Sequence, residues 1–281
     1  MVDSQILKIA EAALSETWRK IKGEGFFRTD NKDYVTLPEY NLIPTVSFAD
    51  IEGDYATAAG RELAGKFCAA YSSAALVANS FGLFRNERHH LMPETAGFNA
   101  LSLAGFEQTL PIAGLGGHAP TLDAVLTGGK SIVAIESKLT EPLTIKHGEF
   151  SASYDKLVPN MEDGWRKAFQ IIREQPDHFG GFDAAQIVKH YLGIRCAKAE
   201  RRLLLYLFWE PRNADSIAAF QEHRGHLGKF AEMVKGSEIQ FRWQSYAELW
   251  SSWKKEATQE IENHIHHLEQ RYLIDLPINQ S

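Results

Sequence analysis

The 281-residue chain carries 36 acidic against 30 basic side chains, a formal net charge of −6 with histidines uncharged. With 44% hydrophobic and 23% charged residues it has the composition of a globular protein, which excludes a disordered or collagen-like chain. The acidic balance gives no bulk attraction to nucleic acid, so any such binding needs a local basic surface.

Residues 3–22 space apolar side chains at Ile6, Ile9, Ala13, Leu14, Trp18 and Ile21, the period of an amphipathic helix. The opening has acids early and no basic segment before an apolar run, so it does not read as a signal peptide. A stretch punctuated by Gly, Pro and Asp follows and predicts an irregular arm with at most one short strand. Residues 57–80 are Ala-rich with few breakers and predict a mostly buried helix. The period then changes: "NALSLAGFEQTLPI", "TLDAVL" and "SIVAIESKL" are short apolar runs between Gly-rich turns, the pattern of adjacent strands.

Helices are expected over 162–175 and 184–192, and "RRLLLYLFWEP" reads as a strand covered on both faces, its aromatics in the core. A helix over 216–235, a strand "EIQFRWQ" and one long helix over 247–272 complete the chain. No run approaches the roughly 20 apolar residues that span a bilayer, so a soluble, cytoplasmic protein is expected. Cys68 and Cys196 form no CxxC pair, which excludes a cysteine zinc site and disfavours a disulfide framework. The expected organisation is one domain over 1–281. It has a helical and irregular arm over 1–56, a core over 57–210 and a helix-strand-helix extension over 211–281.

The segment "PTLDAVLTGGKSIVAIESKLTEPL", Pro120 to Leu143, holds two chemical signals. Its "TGGKS" imitates the end of a phosphate-binding loop, but that motif needs a glycine where Ala124 stands and a helix where "IVAIESK" continues as a strand. A Gly-Gly hairpin turn is the better reading. The second signal is Asp123, Glu136 and Lys138. Alternation puts Glu136 and Lys138 on one face of their strand and Ser137 on the other. A turn at Thr127–Lys130 brings Asp123 onto the neighbouring strand, ~4.8 Å away. Two carboxylates and one ammonium then meet inside an apolar sheet. Such burial seldom stabilises a fold, and the second acid leaves a negative charge that a hard divalent cation would neutralise.

Asp123, twelve intervening residues and then Glu136-Ser137-Lys138 on an apolar strand resemble the PD-(D/E)XK nuclease superfamily, which includes type II restriction endonucleases. The α-β-β-β-α-β order read above, from the helix over 57–80 to "RRLLLYLFW", is similar to that superfamily's core. Pro120 stands apart from Asp123, a departure from the usual adjacent Pro-Asp. The segments "SSAALVANSFGLF", "FEQTLPIAGLGGHAPTLDAVL", "FDAAQIVKHYLG" and "SYAELW" further resemble a bacterial subgroup of restriction-endonuclease-like proteins, over about Ser72 to Trp250.

The resemblance implies an α/β fold of restriction-endonuclease type, its mixed central sheet flanked by helices, with extra helices at both ends. It also implies a DNA-cutting phosphodiesterase dependent on Mg²⁺ or Mn²⁺. Asp123, Glu136 and the Ser137 carbonyl would hold the cation. Lys138 would orient or deprotonate a water, or neutralise charge on the phosphate. Glu107 is the first choice for an additional acid and Glu62 the second. Many such proteins act as dimers, and a homodimer is a further expectation.

For the phosphate backbone, "QIVKHYLGIRCAKAERR" supplies Lys189, His190, Arg195, Lys198, Arg201 and Arg202, with Gln186, Lys189 and His190 on one helix face. Gln186, Lys189 and His190, with His118 on the Gly-rich loop before Asp123, are the expected nucleic-acid contacts. "RNERHH" at 85–90 is a second basic patch. His264 and His267 share a helix face and are expected to be solvated. Two rivals are a nuclease-fold DNA-binding or regulatory protein without turnover, and a glycosidase using the paired acids.

Overall fold

The computed structural model describes residues 4–57, 63, 65–85, 92–115 and 119–277. Glu62, His118 and residues 86–90 of the second basic patch lie outside them.

Eight α-helices and five strands are found among the described residues: α1 (Ser4–Lys22), α2 (Glu52–Thr57), α3 (Ser73–Phe81), β1 (Ser102–Thr109), β2 (Thr121–Gly128), β3 (Ser131–Lys138), α4 (Asp163–Glu174), α5 (Ala184–Ile194), β4 (Arg201–Phe208), α6 (Ala218–Met233), β5 (Ile239–Ser245), α7 (Tyr246–Trp253) and α8 (Gln259–Tyr272). The strands form one mixed sheet in the order β1-β2-β3-β4-β5. β1, β2 and β3 are antiparallel neighbours, while β3, β4 and β5 run parallel.

Strand alternation sorts the sheet into two cores. Val133, Ile135, Leu203 and Leu205 pack with α1, α3, α7, α8 and the N-terminal arm. Ile132, Ala134, Leu204 and Tyr206 pack with α4, α5 and α6. The sheet is thus covered on both faces, which is why β3 and β4 read as continuous apolar runs.

The hairpin joining β2 to β3 pairs Gly128 with Ser131. Gly129, at φ 56, supplies the left-handed backbone that this two-residue turn needs. The phosphate-loop imitation is a turn.

Two helices differ from expectation. Of the predicted helix over 57–80, the described residues from 65 on become helical at Ser73, where the Ser72 hydroxyl accepts the Ala75 N–H and starts α3. Ahead of it, Lys66–Cys68 forms a single 3₁₀ turn. The predicted long helix over 247–272 is two. α7 ends in a 3₁₀ turn at Lys254–Glu256, and the Thr258 side chain caps a fresh start for α8. The strand over 239–245, assigned from sequence to a C-terminal extension, is the edge strand beside β4.

His264 is a core residue and not a solvated one. Thr45 Oγ1 lies 2.6 Å from its Nδ1, and its Nε2 meets the Ser80 carbonyl at 3.2 Å. Cys68 is buried and Cys196 exposed, and both are free thiols.

Candidate active site

The sheet forks at Asp123 and Glu136. The β2–β3 ladder ends at Ala124–Ile135, yet β2 stays paired with β1 as far as Thr121, and β3 stays paired with β4 as far as Lys138. Beyond the fork the inner edge of β3 has no strand partner, and a side chain takes over. The Ser137 N–H donates to Asp123 Oδ2 at 2.6 Å.

Backbone N–H and C=O of one strand residue project to the same side, so the Ser137 carbonyl also faces the fork. The next carbonyl, that of Lys138, faces away and accepts the Trp209 N–H at 2.8 Å. β2 changes phase at the same place, since Leu122 packs into one core and Ala124 into the other. On β1, Glu107 stands between the pairs Phe106–Ala124 and Gln108–Leu122, level with Asp123. Its φ of 50 is strained for a residue with a Cβ.

Alternation carries Glu136 and Lys138 toward α5, and Ser137 toward α3 and α7. Lys138 Nζ bonds to Glu136 Oε1 and, at 3.0 Å, to Gln186 Oε1. His190 Nε2 lies 2.7 Å from Glu136 Oε2, an electrostatic contact outside linear hydrogen-bond alignment. On the other face, Ser137 Oγ meets Tyr246 OH at 2.7 Å and the Ser73 carbonyl at 3.3 Å. Glu136 is 1% exposed and the Lys138 side chain 14%.

The electrostatics follow from this packing. Burial would raise the Glu136 pKa, but Lys138 and His190 outweigh it and hold the group down at about 2. Burial opposes the Lys138 charge too, yet Glu136 and Asp123 reverse the effect and push its pKa up. Asp123 goes the other way. Its burial and the facing Glu136 charge raise it well above the carboxylate range, and Lys138 with the Ser137 N–H only partly offsets that.

The fork opens on a cleft of about 510 Å³ lined by Glu107, Asp123, Glu141 and Gln186, by Tyr34 from the arm and by Tyr71 just ahead of α3. Glu141 escaped the sequence reading, although it follows the ESK triplet by three residues. Its carboxylate caps the Leu139 N–H at 2.7 Å and takes the Ser73 hydroxyl at 2.6 Å. Two larger clefts, of about 670 and 650 Å³, contain none of these acids and gather no comparable chemistry.

The expected phosphate contacts are divided by the structure. Gln186 sits in the cleft. Lys189 is half-buried, its ammonium 5.6 Å above the Phe150 ring. His190 is corrected: it is 1% exposed and lies behind Glu136, where no phosphate reaches it. Arg201 and Arg202 are also displaced. They start β4, beside Ser131 and Ile132, so they lie roughly 20 Å from Lys138 along the sheet. Arg195 follows the last residue of α5, the end remote from Gln186.

A divalent cation fits the site by donor chemistry. Asp123 and Glu136 are hard oxygen donors, and the raised proton affinity of Asp123 marks negative charge that Lys138 leaves incompletely neutralised. Among the described residues no three His, Cys, Asp or Glu side chains are grouped to enclose a metal. Asp123 and Glu136 supply two carboxylates, and Mg²⁺ is usually held by one or two and otherwise by water and substrate.

A mixed five-stranded sheet flanked by helices, with this site at its fork, defines an α/β protein of the restriction-endonuclease-like class. The chain belongs to the family described as restriction endonuclease associating with ARP, whose profile matches residues 9–273. No curated protein and no solved structure matches it significantly. Family membership indicates a nuclease, with nucleic acid as its substrate. No helix among the described residues is long and apolar enough to cross a membrane.

Proposed function

We propose that the chain is a divalent-metal-dependent nuclease that hydrolyses phosphodiester bonds, with DNA as the substrate. The observation that carries this is the fork, which sets Asp123, Glu136, the Ser137 carbonyl and Lys138 together beside an open cleft. Asp123, Glu136 and that carbonyl would hold Mg²⁺ or Mn²⁺. When bound, such a cation polarises the phosphate and makes a water nucleophilic at neutral pH.

Lys138 acts as a fixed positive charge. In the cation-free site the two carboxylates raise its pKa and favour the ammonium; beside a bound cation it would stabilise charge developing on the phosphate or act on the attacking water. Gln186 anchors the ammonium from α5. Glu107, held level with Asp123 on a strained backbone, is the further acid of the site.

A second reading, DNA binding without turnover, draws on one observation: one Glu136 oxygen is bonded to the Lys138 ammonium and the other lies against the His190 ring, which could leave the carboxylate with no capacity for a metal. Calorimetry with Mg²⁺ and Mn²⁺ separates the two, run beside cleavage assays on linear, circular and single-stranded DNA and on RNA, chitin and starch. The nuclease reading expects cation uptake and cation-dependent DNA cleavage. DNA binding with neither supports the second reading, and breakdown of a polysaccharide alone refutes both.

A further inference from the structure

His190 was expected at the surface and is found in the core, where one polar group faces it. α5 presents Gln186 and His190 four residues apart on one face, and each takes one member of the buried ion pair. Gln186 Oε1 binds Lys138 Nζ at 3.0 Å, and His190 Nε2 lies 2.7 Å from Glu136 Oε2. We propose that His190 is a positioning residue that grips the Glu136 carboxylate from its buried side and so sets the cation affinity of the cleft. This rests on the nuclease reading and adds to it a group that touches neither cation nor substrate.

The comparison with His264 separates this role from a structural one. His264, equally buried, satisfies both ring nitrogens, one against Thr45 and the other against Ser80. His190 Nδ1 has no hydrogen-bond partner among the described residues, so the only polar neighbour that accounts for the ring is Glu136. Burying an imidazole whose Nδ1 is unpaired and whose Nε2 has only a misaligned contact with Glu136 costs stability, and an apolar side chain on α5 would avoid that cost. The histidine is explained by what it does to the carboxylate. Held at Oε1 alone, Glu136 could swing with the flexible Lys138 stem. Held at both oxygens it stays opposite Asp123, as a shared cation requires. Outer partners of this kind orient metal ligands and typically change metal affinity when removed.

The test uses the full-length wild type with His190→Phe, His190→Gln and His190→Asn, titrated with Mg²⁺ by calorimetry. Cleavage is then measured across Mg²⁺ and DNA concentrations. His190→Phe should weaken Mg²⁺ binding roughly tenfold or more and raise the half-maximal Mg²⁺ concentration in step, with KM for DNA unchanged. His190→Gln, whose amide can still reach Oε2, should recover most of the affinity, while the shorter Asn should not. The Gln–Asn contrast decides the question even if the Phe variant fails to fold. Wild-type Mg²⁺ affinity in both Asn and Phe variants overturns the role of His190 alone. A wild type that takes up no cation and cuts no DNA overturns the nuclease reading, and this inference with it.

Discussion

Asp123 lines the cleft yet is largely withdrawn from water, and the Glu136 charge faces its carboxylate, so in the cation-free protein its ionisation is opposed. Its folded pKa is raised, so the stability tied to the protonated form is complete below the ordinary value of 3.8 and lost as pH rises through the folded value. Asp123→Asn keeps an oxygen for the Ser137 N–H and removes the charge. It should stabilise the cation-free protein near neutral pH by on the order of 1 kcal/mol, the usual gain when a strained functional group is relieved. A thermal melt showing no gain over wild type would count against the electrostatics described.

His223 titrates in the opposite sense. Packed among Phe182, Tyr206 and Phe208, its ring is held at a pKa of about 3 by burial first and by His226 and Arg224 next. Below pH 6.5 the unfolded chain takes up a proton that the fold refuses. Stability should therefore fall from pH 6.5 toward 3, by up to about 1.4 kcal/mol per unit from this one group. His223→Phe should shift the acid-unfolding midpoint downward; an unchanged midpoint would show that another group controls this limb.

At the scale of elements, the β2–β3 hairpin was legible, and its opening into a fork and its surroundings were not. Alternation and a two-residue turn are local rules, and they suffice to place Glu136 and Lys138 on one face and Asp123 on the adjoining strand. The helix boundaries at Ser73 and Thr258 are also written locally, in a Ser and a Thr that cap new helices, but Ala-rich and amphipathic patterns around them mask the breaks. What no local rule supplies is which way α5 turns toward the sheet. His190 and Arg195 stand five residues apart in one basic segment of the sequence, yet the first lies behind the acids and the second beyond the far end of α5.

Arg271 on α8 was missed for the same reason. It is 1% exposed, and its guanidinium donates to the Asn41 carbonyl and side-chain oxygen, each at 2.6 Å, with the Trp18 ring 3.9 Å away. It ties α8 to α1 and the arm with no carboxylate partner among these contacts. Arg271→Ala strips those acceptors of their donor and should destabilise the protein by roughly 3 kcal/mol, measurable by urea denaturation. A loss below about 1 kcal/mol would mean that the arm is held by its apolar packing alone.

For the whole molecule, the cleft is a joint product of the sheet, α5 and the N-terminal arm, since Glu107 and Asp123 line it together with Gln186 and with Glu11 and Tyr34. A cation bound there links folding to metal. Mg²⁺ at a hundred times its Kd should stabilise the wild type by about 2.7 kcal/mol and Asp123→Asn far less. Equal stabilisation of both would place the cation elsewhere.

Cleavage of DNA in Mg²⁺ by the wild type and by Lys138→Met, with folding of both verified by circular dichroism, tests the central claim most directly. Lys138→Met removes the ammonium and keeps the apolar stem. The account predicts Mg²⁺-dependent cleavage by the wild type that falls at least a hundredfold in the variant, the scale of losing one transition-state charge partner. Equal cleavage by the two proteins would contradict it.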